Sequence, residues 1–220
     1  MTKKQDILRD PIPEWLMKGY TRAISPLIRI AIKGNINPNT FTILGFITSC
    51  IAALILAAGD LRLSACILLA AGFFDTLDGN YARASGRVTR FGALFDSTLD
   101  RYSEMIYYFG MAFYFLRLEW YVSSVAVAAA LGGSLMVSYV RARAEALSFE
   151  CKIGFLQRPE RVLLLAAGGL IHRYIFAGAV WFVAIFSNFT AVQRILYIRN
   201  QDMKKNDYNA INREHKETLS

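Results

Sequence analysis

Phe41-Thr-Ile-Leu-Gly-Phe-Ile-Thr-Ser-Cys-Ile-Ala-Ala-Leu-Ile-Leu-Ala-Ala-Gly59 carries no charged residue. A helix needs ~20 such residues to cross a hydrocarbon core, so the stretch reads as a transmembrane helix. Immediately upstream, Pro38, Asn39 and Thr40 are residues that favour a helix start. Gly34 to Asn37 turns the chain. Before that turn, Pro13 to Lys33 mixes Trp15, Leu16, Tyr20, Ile24, Leu27, Ile28 and Ile30 with basic residues. That mixture predicts an amphipathic helix lying in the membrane interface, kinked at Pro26.

Downstream, Tyr121 to Val140 and Tyr174 to Gln193 repeat the uncharged pattern. Three further apolar stretches are interrupted: Leu61 to Phe74 runs into acids, Phe91 to Leu118 contains acids and Arg101, and Val162 to Ile171 is short. The last of these needs Arg158 and Arg161 to snorkel at its start. The expected fold is therefore all-α: a polytopic bundle of six transmembrane helices behind an N-terminal interfacial helix. It divides into a cytoplasmic segment 1–37, a membrane domain 38–200 and a polar tail 201–220. A hydrophobic share of 55% in 220 residues suits a bilayer better than a soluble globule.

Lysine and arginine set the orientation. They crowd the segment before the first span, the connections near Arg87 and Arg158 and the tail after Arg194, whereas the alternate connections carry only Arg62, Arg117 and Arg173. By the positive-inside rule the basic side, with both termini, faces the cytoplasm of a cell membrane. The net charge of +8 thus follows topology, and no nucleic-acid motif accompanies it. Cys50, Cys66 and Cys151 are odd in number, and two fall in expected spans, which argues against a disulfide framework. The first strongly apolar run starts only at Phe41, so no cleavable signal is expected.

The chemistry gathers between the second and third expected spans: Asp75-Thr-Leu-Asp78-Gly79-Asn-Tyr-Ala82-Arg83, then a short basic turn around Arg87, then Gly92-Ala-Leu-Phe-Asp96-Ser-Thr-Leu-Asp100. Spacings of three and four put Asp75 with Asp78, and Asp96 with Asp100, on one face of their helices. In an antiparallel hairpin the two pairs lie at matched depth, on the order of 10 Å below the helix ends. Four unneutralised acids there would cost roughly 10 kcal/mol, comparable with the stability of a whole domain. Arg83 and Arg101 are candidates to offset two charges. The cluster fits hard divalent cations better, two Mg2+ matching four carboxylates, with Mn2+ as the alternative. His172 and His215 lie far away in sequence, which argues against zinc. Gly79, Ala82 and Gly92 leave backbone bare beside the acids, as a bulky ligand group requires. The competing readings are a set of intramembrane salt bridges or helix caps, and a divalent-cation transport pathway.

The pattern Asp75-x2-Asp78-Gly79-x2-Ala82-Arg83-x8-Gly92-x3-Asp96-x3-Asp100 resembles the signature of the CDP-alcohol phosphatidyltransferases. That resemblance implies a two-metal site in which Asp75, Asp78 and Asp96 hold metal, while Asp100 shares the second metal and accepts a proton. It implies nucleotide contacts at Pro38, Asn39, Thr40, Phe41, Gly79, Arg83 and Thr89. It also implies transfer of a phosphatidyl group from CDP-diacylglycerol to an alcohol, with release of CMP.

A phosphorylated acceptor needs cations, and arginine grips phosphate bidentately. Candidates are Arg141, Arg143, Arg158, Arg161 and Arg194 at the cytoplasmic ends of the last three spans. Arg158 and Arg161 share a helix face, and Pro159 suits a first turn. Ser138 to Glu145, Gly154-Phe155, Arg158 to Arg161 and Gln193-Arg194 resemble the phosphatidylinositol phosphate synthase branch. By that likeness Arg141, Arg161 and Arg194 bind the phosphate of inositol 1-phosphate, and the protein is a homodimer. The rival acceptor is glycerol 3-phosphate, as in a phosphatidylglycerophosphate synthase.

Overall fold

The computed structural model describes residues 28, 31–32, 34–151 and 153–217, with side chains as far as 203. All of its regular structure is helical among these residues. Six helices follow one another: α1 Pro38–Ala58, α2 Leu61–Ala84, α3 Arg90–Arg117, α4 Tyr121–Ala146, α5 Arg158–Ile171 and α6 Arg173–Glu217. The amphipathic helix expected over Pro13 to Lys33 lies almost wholly outside the described residues.

Local chemistry sets each boundary. Pro38 occupies the first turn of α1, and the Asn37 side chain accepts the Asn39 N–H at 3.0 Å. Asp60 caps α2 by accepting from Leu63 N at 3.0 Å, and Thr89 caps α3 by accepting from Gly92 N at 2.9 Å. Gln157 and Glu160 form a capping box on α5, with Pro159 in its first turn as expected.

Three helices, α1, α4 and α6, are long and apolar enough to cross a membrane, the same three that the uncharged runs identify. The other three carry charges. At 14 residues α5 spans about 21 Å, less than a full ~30 Å core.

The helices pack as a chain of neighbours: α1 against both α2 and α3, α2 against α5, α3 against α4, and α6 against α4 and α5. The expected hairpin of α2 and α3 is not a closely packed pair, because their backbones scarcely approach while α1 fills in against both. Gly110 permits one of these contacts: a methyl group there would sit 2.6 Å from the Ala53 carbonyl oxygen, so α3 and α1 touch backbone to backbone. The three cysteines are free thiols.

Far from the basic turn, the bundle closes on stacked rings. Phe115 stacks on Trp120 and Phe176 at 6.0 and 5.7 Å, and Trp120 on Tyr174 at 5.1 Å. Arg117 seals the same end by donating to the carbonyls of Ala57 and Ala58 at the end of α1.

Candidate active site

The separation of α2 from α3 makes a cleft, and acids line it. Carboxylate oxygens of Asp75, Asp78 and Asp96 lie within 4.8 Å of one another, although the first two come from α2 and the third from α3. The matched depth inferred from spacing is therefore realised, across a gap rather than across a packed seam. Oδ2 of Asp78 and Oδ1 of Asp96 are buried with no hydrogen-bond partner. Orphaned carboxylate oxygens are costly, and hard cations take such donors; opposite ligands of an octahedral Mg2+ stand about 4.2 Å apart. The residues present thus fit a divalent cation, and the donor set is all oxygen.

Asp100 lies one turn further along α3. It joins the cluster through Arg158, whose Nη1 is 2.6 Å from Asp100 Oδ2 and 2.9 Å from Asp75 Oδ2. Arg158 takes the first place in the charge compensation expected of Arg83 and Arg101, with Arg101 acting on Asp96 only at longer range. Arg83 folds back over Gly79 and bonds Asn80 Oδ1 at 3.2 Å, while Arg101 donates to the Ser97 carbonyl of its own helix. The sequence places Arg158 83 residues from Asp75, and only the packing of α5 on α2 brings them together.

Some of the residues expected around the nucleotide are neighbours, although none of them lines the two cavities that open from the acids. The start of α1 meets the start of α3, where a methyl group on Gly92 would stand 3.5 Å from Asn39 Oδ1. Phe41 packs edge-on against Tyr81, with ring centroids 5.3 Å apart. Thr40 and Thr89 are exposed and Ala82 is half-buried.

Two residues to which the sequence assigned no site role lock the turn before α1. Tyr81 donates to the Ile36 carbonyl at 2.6 Å, and Arg87 donates to Ile36 O at 3.1 Å and to the Asn35 side chain. Together they clamp the turn before α1 onto the end of α2. Tyr81 sits on the same turn as Asp78 and was legible only as an aromatic among polar residues.

Two cavities open from the acids. One, of about 520 Å3, lies between α1, α2, α3 and α5 and is walled by Gly45, Phe46, Leu68, Leu69, Leu99 and Val162 among others. The second, of about 440 Å3, is more polar and lined by Arg101, Arg141, Arg158, Arg161 and Arg194 with Ser138, Gln157 and Glu145. Asp75, Asp100, Glu104, Arg158, Pro159 and Arg161 border both.

Positive-inside topology calls for arginines in water, and Arg141 is nearly half exposed, paired along its helix with Glu145 at 2.9 Å. Arg161 and Arg194 are 1% and 2% exposed, which topology does not require. Nε and Nη2 of Arg161 bond Glu104 at 2.8 and 3.0 Å, and its Nη1 bonds Leu156 O at 3.1 Å. Arg194 donates to the carbonyls of Ile153 at 2.8 Å and Val137 at 2.6 Å. Beside it, Gly154 has a φ of +147°, and a methyl group there would fall 2.7 Å from the Arg194 guanidinium. Arg143 does not line either cavity.

Known proteins share these features. The family model described as CDP-alcohol phosphatidyltransferase matches residues 35–193. An archaetidylinositol phosphate synthase of Methanothermobacter thermautotrophicus is 38% identical over 182 residues, covering 80% of this chain and 89% of that protein. A phosphatidylinositol phosphate synthase of Mycobacteroides abscessus is 32% identical over 188 residues, covering 82% and 85%. Among solved structures, the Mycobacterium tuberculosis phosphatidylinositol phosphate synthase with CDP-DAG bound superposes with a TM-score of 0.75 at 31% identity, over 80% of this chain and 94% of that one. The same enzyme in complex with manganese and citrate gives 0.72 at 31% identity, over 79% and 87%. The family match runs from the turn before α1 to within one residue of Arg194 and takes in every acid of the cleft: this chain belongs to the CDP-alcohol phosphatidyltransferases.

Proposed function

We propose that this enzyme transfers the phosphatidyl group of CDP-diacylglycerol to inositol 1-phosphate, releasing CMP and forming phosphatidylinositol phosphate. The observation that carries this reading is the meeting of two unlike cavities at one set of acids. An apolar cavity suits the lipid side of the donor, and a more polar one with five arginines suits a phosphorylated acceptor. The names of the relatives agree with that choice.

Asp75, Asp78, Asp96 and Asp100 would hold two Mg2+, with Mn2+ as a substitute. Bound there, divalent cations neutralise charge on the diphosphate and on the leaving CMP. Pro38, Asn39, Thr40, Phe41, Gly79, Ala82, Arg83, Thr89 and Gly92 bind the CDP end of the donor. Arg141, Arg158, Arg161 and Arg194 bind and orient the acceptor phosphate. Asp100, once released from Arg158, accepts the proton of the attacking hydroxyl. The oxygen of that hydroxyl bonds the lipid-side phosphorus, and the bond from this phosphorus to the bridging oxygen breaks with the electron pair leaving on CMP.

In the membrane, six spans place the acids in the cytoplasmic half, with both termini cytoplasmic, and two copies associate as a homodimer. Residues 1–37 form the cytoplasmic segment, 38–200 the membrane domain and 201–220 the tail. The helical backbone of α6 runs through residue 217, so the tail continues the last span.

One observation favours a second donor. The Methanothermobacter relative makes an archaetidyl rather than a phosphatidyl product. An ether-linked CDP-archaeol would use the same acids and the same cavity. Purified protein with Mg2+ and each donor should release CMP fastest with inositol 1-phosphate. Preference for glycerol 3-phosphate would make it a phosphatidylglycerophosphate synthase, and ion flux without CMP release would make it a transporter.

A further inference from the structure

The acidic face of α3 does not stop at Asp100. Glu104 follows one turn later, extending the four-residue spacing of Asp96 and Asp100. Yet it belongs to no cation cluster. Both of its oxygens are turned onto Arg161, which is the largest fully buried side chain among the described residues. A buried pair of this kind contributes little net stability over apolar packing of similar volume, so packing alone does not account for it.

Its location suggests a different task. Arg158 and Arg161 lie three residues apart on one face of α5, and Arg158 is already drawn onto Asp75 and Asp100. Without a partner of its own, Arg161 would be attracted to the same acids. Glu104 holds it off those acids and, with the Leu156 carbonyl, fixes the guanidinium in one plane. These bonds occupy Nε and one N–H on each terminal nitrogen, while the side chain borders both cavities, the second of them shared with Arg141 and Arg194.

We infer that Glu104 is a positioning residue for the acceptor phosphate: it orients Arg161 where the two cavities meet and keeps its guanidinium off the carboxylates of Asp75 and Asp100. The inference rests on the proposed use of a phosphorylated acceptor. Glu104 itself does not touch the reacting atoms. Its carboxylate sets where a phosphate is gripped.

The test is steady-state kinetics of purified Glu104→Gln in Mg2+ with CDP-diacylglycerol, varying each substrate in turn. An uncharged amide offers one acceptor oxygen to the guanidinium and confronts it with an N–H2. KM for inositol 1-phosphate should rise at least about tenfold, with KM for CDP-diacylglycerol within about twofold of the parent. An unchanged acceptor KM, or an equal rise in both, overturns the inference, because a purely structural role would not single out the acceptor. Should Glu104→Gln not fold, Glu104→Asp decides: it keeps the charge but withdraws it by one methylene, and an acceptor KM raised at least about threefold with the donor KM unchanged supports positioning, whereas an unaltered acceptor KM or an equal rise in both refutes it. If the parent enzyme uses glycerol 3-phosphate instead, the acceptor assignment fails while the same comparison on that phosphate still judges Glu104. Preference for an unphosphorylated alcohol sinks both.

Discussion

The two ends of the bundle are finished in opposite ways. At the aromatic end, Phe115, Trp120, Phe176 and Tyr174 stack on one another, Arg117 satisfies the last carbonyls of α1, and Asp60 caps α2. Charges and carbonyls there find partners within the chain. At the basic end, Asp78 and Asp96 each keep a buried oxygen without a partner, and α2 stands off from α3. Proteins rarely leave such groups orphaned, so the contrast separates an end that the chain completes from an end that a ligand completes.

The sharpest way to break that contrast is to remove the one acid that a protein side chain and a reacting hydroxyl would share. Asp100→Asn should lower turnover by at least about a thousandfold while CDP-diacylglycerol affinity changes less than about threefold, read as CMP release and as direct donor binding. Near-normal turnover would remove Asp100 from proton transfer.

A smaller effect is expected on the acceptor side. Arg194→Lys deletes the planar fork that now reaches two carbonyls, and the acceptor KM should rise about 10- to 100-fold with kcat largely retained. A change confined to kcat would place Arg194 elsewhere in the cycle.

Smallest in activity should be changes at the aromatic half. Gly110→Ala forces a methyl group against the Ala53 backbone and should cost about 1–3 kcal/mol in stability, with turnover per folded molecule nearly unaltered. Gly178→Ala faces open space and should lie within about 0.5 kcal/mol of the parent by thermal or denaturant unfolding in detergent. Equal effects of the two substitutions would contradict the close approach of α1 and α3.

How much of this was legible beforehand follows from distance along the chain. Spans α1, α4 and α6 announce themselves through uncharged runs, and the acids of α2 and α3 through spacings of three and four on either side of one turn. Pro38 and Pro159 mark helix starts for local reasons. What sequence could not reveal depends on α5 packing onto α2, which carries its arginines to the acids of α2 and α3. Neighbouring arginines suggested Arg83 and Arg101 as counter-charges, whereas packing delivers Arg158 from 83 residues away. Likewise Glu104 is visible as the next acid on a face already read, but its partner Arg161 is 57 residues distant. Tyr81 and Arg87 act on carbonyls of Ile36, and backbone acceptors leave no trace in composition.

Most direct is a measurement of cation binding itself. Manganese should be titrated into purified protein with CDP-diacylglycerol present, bound ion being read by electron paramagnetic resonance and compared with Asp78→Asn and Asp96→Asn. The parent should take up two ions per chain, and each substitution should weaken or abolish at least one site. Uptake unaltered by both substitutions, or no uptake by the parent, would mean that the acids of the cleft serve the bundle and not its chemistry.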